Sequence, residues 1–440
     1  MSRRSWLIGV LAVLAFAQTL AYYVYLRDDP GNYNGAGAQG DQVAYIDLAQ
    51  QVLHGTWQGA VHYMPGLPAV LALSQVVFGD PRLGIAVIQG LVYALVVVLG
   101  ARLAAAAFGE ATSVWAAGAV GLNPALGFYA AQALTEFLTA AGLLALAGAV
   151  FAWSRRPGFA WAALAGLLIA ALGYLRAEYL GFAVVFALIV FWLGRRRRGL
   201  AHAAVLLAVT ALALAPWVAR YAVTTGSPAL YNESPFSNLV LMGTWFRVFD
   251  EQTFSELQQI ETAPGSRDDA IQRASTVGPR PELSQRYMQQ ARGPYERPLG
   301  ETLGLAFGNV QLNLRQYLVN HLVLAPVLIW AGHTPVRQAD APHLPASGRY
   351  AIWAAELALL ALALWQAILA LRGDARRPTT ALALSFVAVV VFLTVVHVVI
   401  AVDERFTTPA LPLVGLLAGA RLASLRPSFS PVLASSRRPT

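Results

Sequence analysis

The chain alternates long apolar runs with polar connections, and the runs have the length of membrane-crossing helices. A helix needs about 20 predominantly apolar residues to cross the hydrocarbon of a bilayer. Ten stretches come near that requirement: 5–26, 83–108, 112–131, 133–153, 159–176, 178–194, 200–219, 350–371, 380–402 and 406–424. Two of the connections are long, at 27–82 and 220–349. In the first, Asp41, Tyr45, Leu48, Ala49 and Val52 recur at helical spacing, which predicts an amphipathic helix lying on the membrane surface. In the second, residues 301–331 are apolar enough to tempt an eleventh span. Asn309, Gln311, Asn313, Arg315, Gln316 and Asn320 make that segment too polar for lipid, and a surface-lying amphipathic helix fits better. The stretch 250–297 reads as polar and mobile.

Composition sharpens this picture. Hydrophobic residues make up 57% of the 440 and charged residues 12%, far from a soluble profile. All 31 basic residues are arginine, and the net charge is +8. These charges are scattered between apolar runs, so anionic lipid is a better partner than nucleic acid. There is no cysteine, which excludes disulfides and thiolate metal sites. The basic N-terminus leads into an apolar run too long for a signal peptide, and it reads as an uncleaved first span.

Arginine also orients the spans. Arg3-Arg4, Arg155-Arg156, the run Arg195 to Arg198, Arg372 with Arg376-Arg377, and Arg437-Arg438 all fall on one side, which the positive-inside rule makes cytoplasmic. Of the 23 acidic residues, Glu110 and Asp374 share that side, Glu356 lies within a span, and the others face outward. The expectation is an all-α integral membrane domain over 1–424, multi-pass in the cell membrane. It has a first outer loop at 27–82, a long outer loop at 220–349, a three-span bundle at 350–424 and a cytoplasmic tail at 425–440.

The candidate residues each have two readings. Asp41 fits an N-cap after Gly40 as well as it fits a catalytic carboxylate at the headgroup level. Asp47, on another face, reads as a solvated charge. Glu136 follows Thr135 at the start of a span, where a capping threonine and a helix-dipole carboxylate explain it as well as chemistry does. Arg176 and Glu178 interrupt two spans joined by almost no loop and can simply pair or snorkel. Arg405 beside Glu404 can be an interfacial anchor. His54, His62, His321, His333 and His343 lack metal-ligand spacing. Gly-rich 35–40 reads as linker rather than a nucleotide loop. Pro65 and Pro68 read as ordinary turn chemistry.

Taken in order along the chain, several motifs resemble one superfamily. Asp41-x-x-x-Tyr45-x-x-x-Ala49, Gly55 and "MPGLPAV" resemble the first outer loop of polyprenol-phosphate-sugar-dependent glycosyltransferases of the GT-C superfamily. The protein O-mannosyltransferases (glycosyltransferase family 39 type), the lipid A aminoarabinose transferase and the rhizobial galacturonosyltransferases belong to it. "NPALGFYAAQALTEFL" (123–138), "LRAEYLGF" (175–182), "APWVARYAVTTGSP" (215–228) and "DERFTTPALP" (403–412) are similar to its later motifs. The resemblance covers nearly all the membrane part but not 250–297.

That resemblance implies a GT-C architecture with surface-lying helices in both long outer loops. It implies an inverting transfer of a sugar from a polyprenyl-phosphate donor to a glycan, lipid or protein acceptor on the extracytoplasmic face. Asp41 takes the role of general base and Glu136 that of accessory acid near the acceptor. Tyr45, Arg176, Glu404 and Arg405 take substrate-binding roles, with Arg405 on the lipid phosphate. No cofactor and no metal are implied, although some members of the superfamily use a divalent cation. A lipid-linked-sugar flippase or another transporter is the alternative. It would want polar residues at mid-membrane, where Glu356 is nearly alone, and no internal repeat of the kind found in paired-half transporters is evident.

The arginine asymmetry makes a direct prediction, in a chain with no native cysteine to interfere. Asp268→Cys should react with a membrane-impermeant thiol reagent from outside intact cells, and Asp374→Cys should not. Equal labelling of both would overturn the orientation.

Overall fold

The computed structural model describes residues 2–27, 41–57, 63–194, 197–226, 228–230, 234–294, 297–332, 345–373, 378–400 and 404–425. Gly-rich 35–40, His62, His333, His343 and residues 426–440 of the expected tail lie outside them. Among the described residues the chain is helical throughout, with no strand.

The N-terminal part runs α1 (Arg3–Arg27), α2 (Asp41–Leu53), α3 (Gly66–Phe78), α4 (Pro81–Phe108), α5 (Thr112–Gly121), α6 (Pro124–Ala130), α7 (Glu136–Arg155), α8 (Phe159–Leu175), α9 (Gly181–Leu193) and α10 (Arg197–Thr225). A short 3-10 turn, Ala177–Leu180, separates α8 from α9. The middle of the chain gives α11 (Ser234–Gly243), α12 (Glu251–Thr262), α13 (Arg267–Ala274), α14 (Pro281–Ala291), α15 (Leu299–Leu312), α16 (Leu314–Val319) and α17 (Ala325–Val327). The C-terminal part gives α18 (Ala346–Leu371), α19 (Pro378–Ile400), a 3-10 segment Glu404–Ala410 and α20 (Leu411–Ser424).

Among the described residues seven helices are long and apolar enough to cross a membrane, which makes this a multi-pass membrane protein. They coincide with seven of the ten expected spans. The other three are shorter or broken. The run 112–131 divides at Leu122-Asn123, where the Asn123 side chain accepts from the Leu126 amide and Pro124 takes the first helical position. The runs 159–176 and 178–194 give apolar helices of 10 to 17 residues. α3 is a further short apolar helix, inside the loop expected at 27–82.

The bundle is held by a core running through α1, α4–α10 and α18–α20. Lipid tails are as apolar as leucine, so close backbone approach, rather than burial from water, holds membrane helices together. α20 presents Gly415 and Gly419, one turn apart, to α5. A Cβ at 419 would lie 2.4 Å from the Ala116 amide nitrogen, and one at 415 would lie 2.8 Å from a Val120 methyl. Outward positions such as Leu95, Leu188 and Leu212 stay exposed, as a lipid-facing surface requires.

The middle segment differs from its reading as polar and mobile. α12, α13 and α14, with the turns that follow α11 and α13, enclose a separate small core of Trp245, Val248, Leu257, Ala270, Ala274, Val277, Leu283, Tyr287 and Met288. Asp250 and Ser266 cap α12 and α13 through side-chain bonds to Thr253 N and Asp269 N. Residues 301–331 form no single surface helix. They break at Asn313 and continue through π-helical turns at Asn320–Leu324 and Leu328–Gly332.

The small-residue contact gives a test. Gly419→Ala should lower stability by about 1–3 kcal/mol through overpacking against rigid backbone. Gly118→Ala, on α5 with nothing within 4 Å of its new methyl, should be neutral or slightly stabilising, because alanine is the better helix former. Thermal unfolding in detergent, followed by tryptophan fluorescence, separates the two.

Candidate functional site

Four helix ends, distant in sequence, bring their charges to one place. Asp41 opens α2, Glu136 opens α7, Arg176 follows α8, and Arg405 lies in the 3-10 segment before α20. Arg405 Nη2 donates to Asp41 Oδ2 at 3.0 Å, and Tyr63 Oη donates to Asp41 Oδ1 at 3.0 Å. Arg405 Nε and Arg176 Nη1 each stand 3.8 Å from Glu136 Oε1. Arg176 Nε also donates to Glu178 Oε1.

Burial grades this cluster from inside to outside. The Glu136 side chain is 3% exposed, the two arginine side chains about a fifth, and Asp41 38%. Asp41 therefore stands at the accessible edge, and Glu136 lies behind it between two guanidinium groups. Oε2 of Glu136 is buried and makes no hydrogen bond. Burying a carboxylate is costly unless it is paired, and here both nearby cations share one of its oxygens.

Thr135 makes no side-chain cap to α7, so capping does not account for the threonine-glutamate pair there. Arg176 takes an extended backbone conformation (φ −153°, ψ 125°) that ends α8 and turns its side chain to the cluster. Phe406 fills the space beside the arginines, with the Arg176 guanidinium 5.0 Å and that of Arg405 5.1 Å from its ring centre. The His397 ring stacks on the same phenyl group at 4.0 Å.

The helix carrying Asp41 is clamped from below. Gln42, fully buried, accepts from the Ala133 amide at 3.0 Å and donates to Gln132 Oε1 at 3.1 Å. Gln89 of α4 donates to the Gln132 carbonyl. These bonds tie α2 to the turn that leads into Glu136. Tyr45 is 6% exposed with its ring edge-on to Tyr63, 4.7 Å between centres. Burial pushes its phenol well above the ordinary range, so it stays a neutral donor.

The structure thus brings Asp41, Tyr45, Glu136, Arg176 and Arg405 together. Glu404 opens the same 3-10 segment as Arg405, but its side chain lies outside those described. Asp47 is exposed on the other side of α2. The sequence reading missed Tyr63, Gln42, Gln132, Phe406 and His397. Gln42, Gln132 and Phe406 lay within the quoted motifs, whereas Tyr63 and His397 lay outside them. The carboxylates Asp41, Glu136 and Glu178 each face an arginine, and no group of three or more His, Asp or Glu among the described residues converges as a metal site.

No protein-family model matches the chain, and no curated protein matches it in sequence. Solved structures match it in fold. The oligosaccharyltransferase AglB of Archaeoglobus fulgidus, complexed with an inhibitory peptide and a dolichol-phosphate, superposes with a TM-score of 0.50 at 16% identity, over 95% of this chain and 50% of that one. The apo form of the Archaeoglobus fulgidus oligosaccharyltransferase gives 0.51 at 16% identity, over 96% and 51%. ArnT from Cupriavidus metallidurans bound to undecaprenyl phosphate aligns over 96% of this chain and 79% of its own, at 15% identity and a TM-score of 0.39, too slight a likeness to argue from. The chain spans about half the length of the oligosaccharyltransferase structures it matches. Its fold is of the GT-C type.

Proposed function

We propose that this GT-C-type membrane protein is an inverting glycosyltransferase that moves a sugar from a polyprenyl-phosphate donor to a hydroxyl of an extracytoplasmic acceptor. The observation that carries the reading is the Asp41–Arg405 pair, a half-exposed carboxylate 3.0 Å from a guanidinium, at a junction of helix ends. A transfer of this kind needs a proton acceptor and a cation within reach of one carbon atom.

In the proposed step the acceptor oxygen attacks the anomeric carbon from the face opposite the phosphate. Asp41 takes the hydroxyl proton as the new bond forms. The bond to the phosphate oxygen breaks, and its electron pair leaves with the lipid phosphate. Arg405 then exchanges its partner, from the carboxylate it meets in this structure to the phosphate whose charge grows at the transition state. Arg176 supplies the second cation. Glu136, behind both arginines, holds them side by side as the accessory acid. Tyr63 fixes the orientation of the base, and neutral Tyr45 lines the substrate side. The apolar helices keep the donor's tail in the bilayer and its headgroup at this level.

Transfer of labelled sugar from a panel of synthetic polyprenyl-phosphate sugars, in liposomes holding the purified protein, tests the reading. Asp41→Asn should lower transfer by about 100-fold or more while the protein stays folded, the usual scale for loss of a general base. Asp47→Asn, on the exposed side of α2, should keep most activity. Normal transfer by Asp41→Asn beside a dead Glu136→Gln would move the base to the other carboxylate.

The arginine has its own test. Arg405→Lys keeps the charge but loses the two-pronged contact, at an expected cost of about 1–3 kcal/mol seen mainly in donor dependence. Wild-type kinetics in a stable variant would remove Arg405 from phosphate recognition.

A further inference from the structure

A cavity of about 910 Å³ lies between α11, α12, α14 and the π-helical turn at 320–324, away from the charged cluster. Its wall is aromatic. Trp245 and Phe249 stack with 5.7 Å between ring centres, and Tyr287 meets both edge-on. Trp245 Nε1 donates to Gln290 and Tyr287 Oη to Glu261, neither of which lines the cavity, so the polar atoms of these rings are engaged elsewhere. Phe254, 37% exposed, stands with Glu251 and Arg247 at the solvent-facing rim.

Two features mark this as more than a packing gap. The first is His321, which lines the cavity and is 3% exposed. Burial holds its pKa below the ordinary value, so the ring is neutral near pH 7. Its Nδ1 contacts the Val398 carbonyl at 2.6 Å and must carry the proton to donate there. Nε2 is then an acceptor, and it is buried without a hydrogen-bond partner. The Gly243 carbonyl faces the same ring but falls outside hydrogen-bonding geometry. A buried acceptor of this kind is stable only when something supplies a proton.

The second is Arg247, a non-glycine residue in the left-handed region at φ +51°. Gln316 and Asn320 hold its carbonyl, at 2.8 and 3.3 Å, and keep this costly turn at the mouth.

We propose that this cavity binds a carbohydrate unit of the acceptor, with its ring face against Phe249 and Phe254 and its hydroxyls donating to His321 Nε2 and Glu251. The proposal rests on the glycosyltransferase reading for the word acceptor, but not for the binding itself. A sugar ring joins an apolar C–H face to an edge of hydroxyls, and the wall offers flat apolar rings beside isolated acceptors. An extended peptide would ask for a row of backbone donors and acceptors, which a helical wall has already spent on its own hydrogen bonds. The position suits an acceptor too. Val398 lines the cavity, and the preceding residue, His397, stacks on the Phe406 that packs beside Arg176 and Arg405.

Saturation-transfer NMR with the full chain in nanodiscs, free of donor lipid, tests this with a panel of soluble oligosaccharides and a matched panel of peptides. At least one oligosaccharide class should receive saturation. Phe254→Ala, at an exposed rim position that leaves the core intact, should weaken that binding at least about tenfold, and His321→Phe, which keeps the ring and removes the acceptor, should do the same. Asp47→Asn, at an exposed position of α2, should bind sugar as the wild type does. Failure of every oligosaccharide to bind, undiminished binding in the rim variant, or saturation of peptides in place of sugars overturns the proposal. A wild-type protein that binds oligosaccharide here yet transfers no sugar would overturn the catalytic reading and leave this one standing.

Discussion

One ion pair closes the molecule on itself. Asp41 and Arg405 are 364 positions apart, and their 3.0 Å contact joins the first connecting loop to the last helical unit. A pair in this setting contributes little net stability, since desolvation offsets much of the attraction. What it fixes is position. With Arg405 on Asp41, Glu136 falls behind both, Arg176 comes alongside, and Phe406 fills the gap.

The cluster rests on a support of buried amides. Below Asp41, Gln42, Gln132 and Gln89 are linked by hydrogen bonds that hold α2 in one register, with Gln89 Oε1 and Gln132 Nε2 left without partners. Above it, Glu136 keeps an oxygen without a hydrogen bond and shares its other oxygen between two cations at 3.8 Å. Rigid support under an incompletely satisfied centre is the arrangement that lets a partner be exchanged without moving the backbone.

Long apolar runs were legible because bilayer thickness sets their length, and the seven longest helices appear where the runs predict them. The break inside 112–131 was hidden by its size, a single Asn-Pro step in an otherwise apolar stretch. The small core at 245–288 was hidden for another reason. Its helices are 8 to 12 residues long, and its aromatic residues gather from turns as well as helices, so no one period reveals them. Asp41 and Arg405 were each legible from their surroundings, but not as partners, because nothing local to either names the other. Nothing in the sequence set Gln42 apart, and only the fold shows it buried against a loop 90 positions away.

Gly66, in the turn between two prolines, has a consequence of a different kind. A methyl group there would stand 2.5 Å from the Tyr174 carbonyl oxygen, so the start of α3 rests on the backbone at the end of α8 with no side chain between them. Side chains absorb small displacements by changing rotamer, and bare backbone cannot. A tilt of α8, which ends at Arg176, is therefore passed undamped to α3 and to Tyr63 just before it, whose hydroxyl holds Asp41. The two halves of the charged cluster are geared together mechanically, like wheels with no play between the teeth.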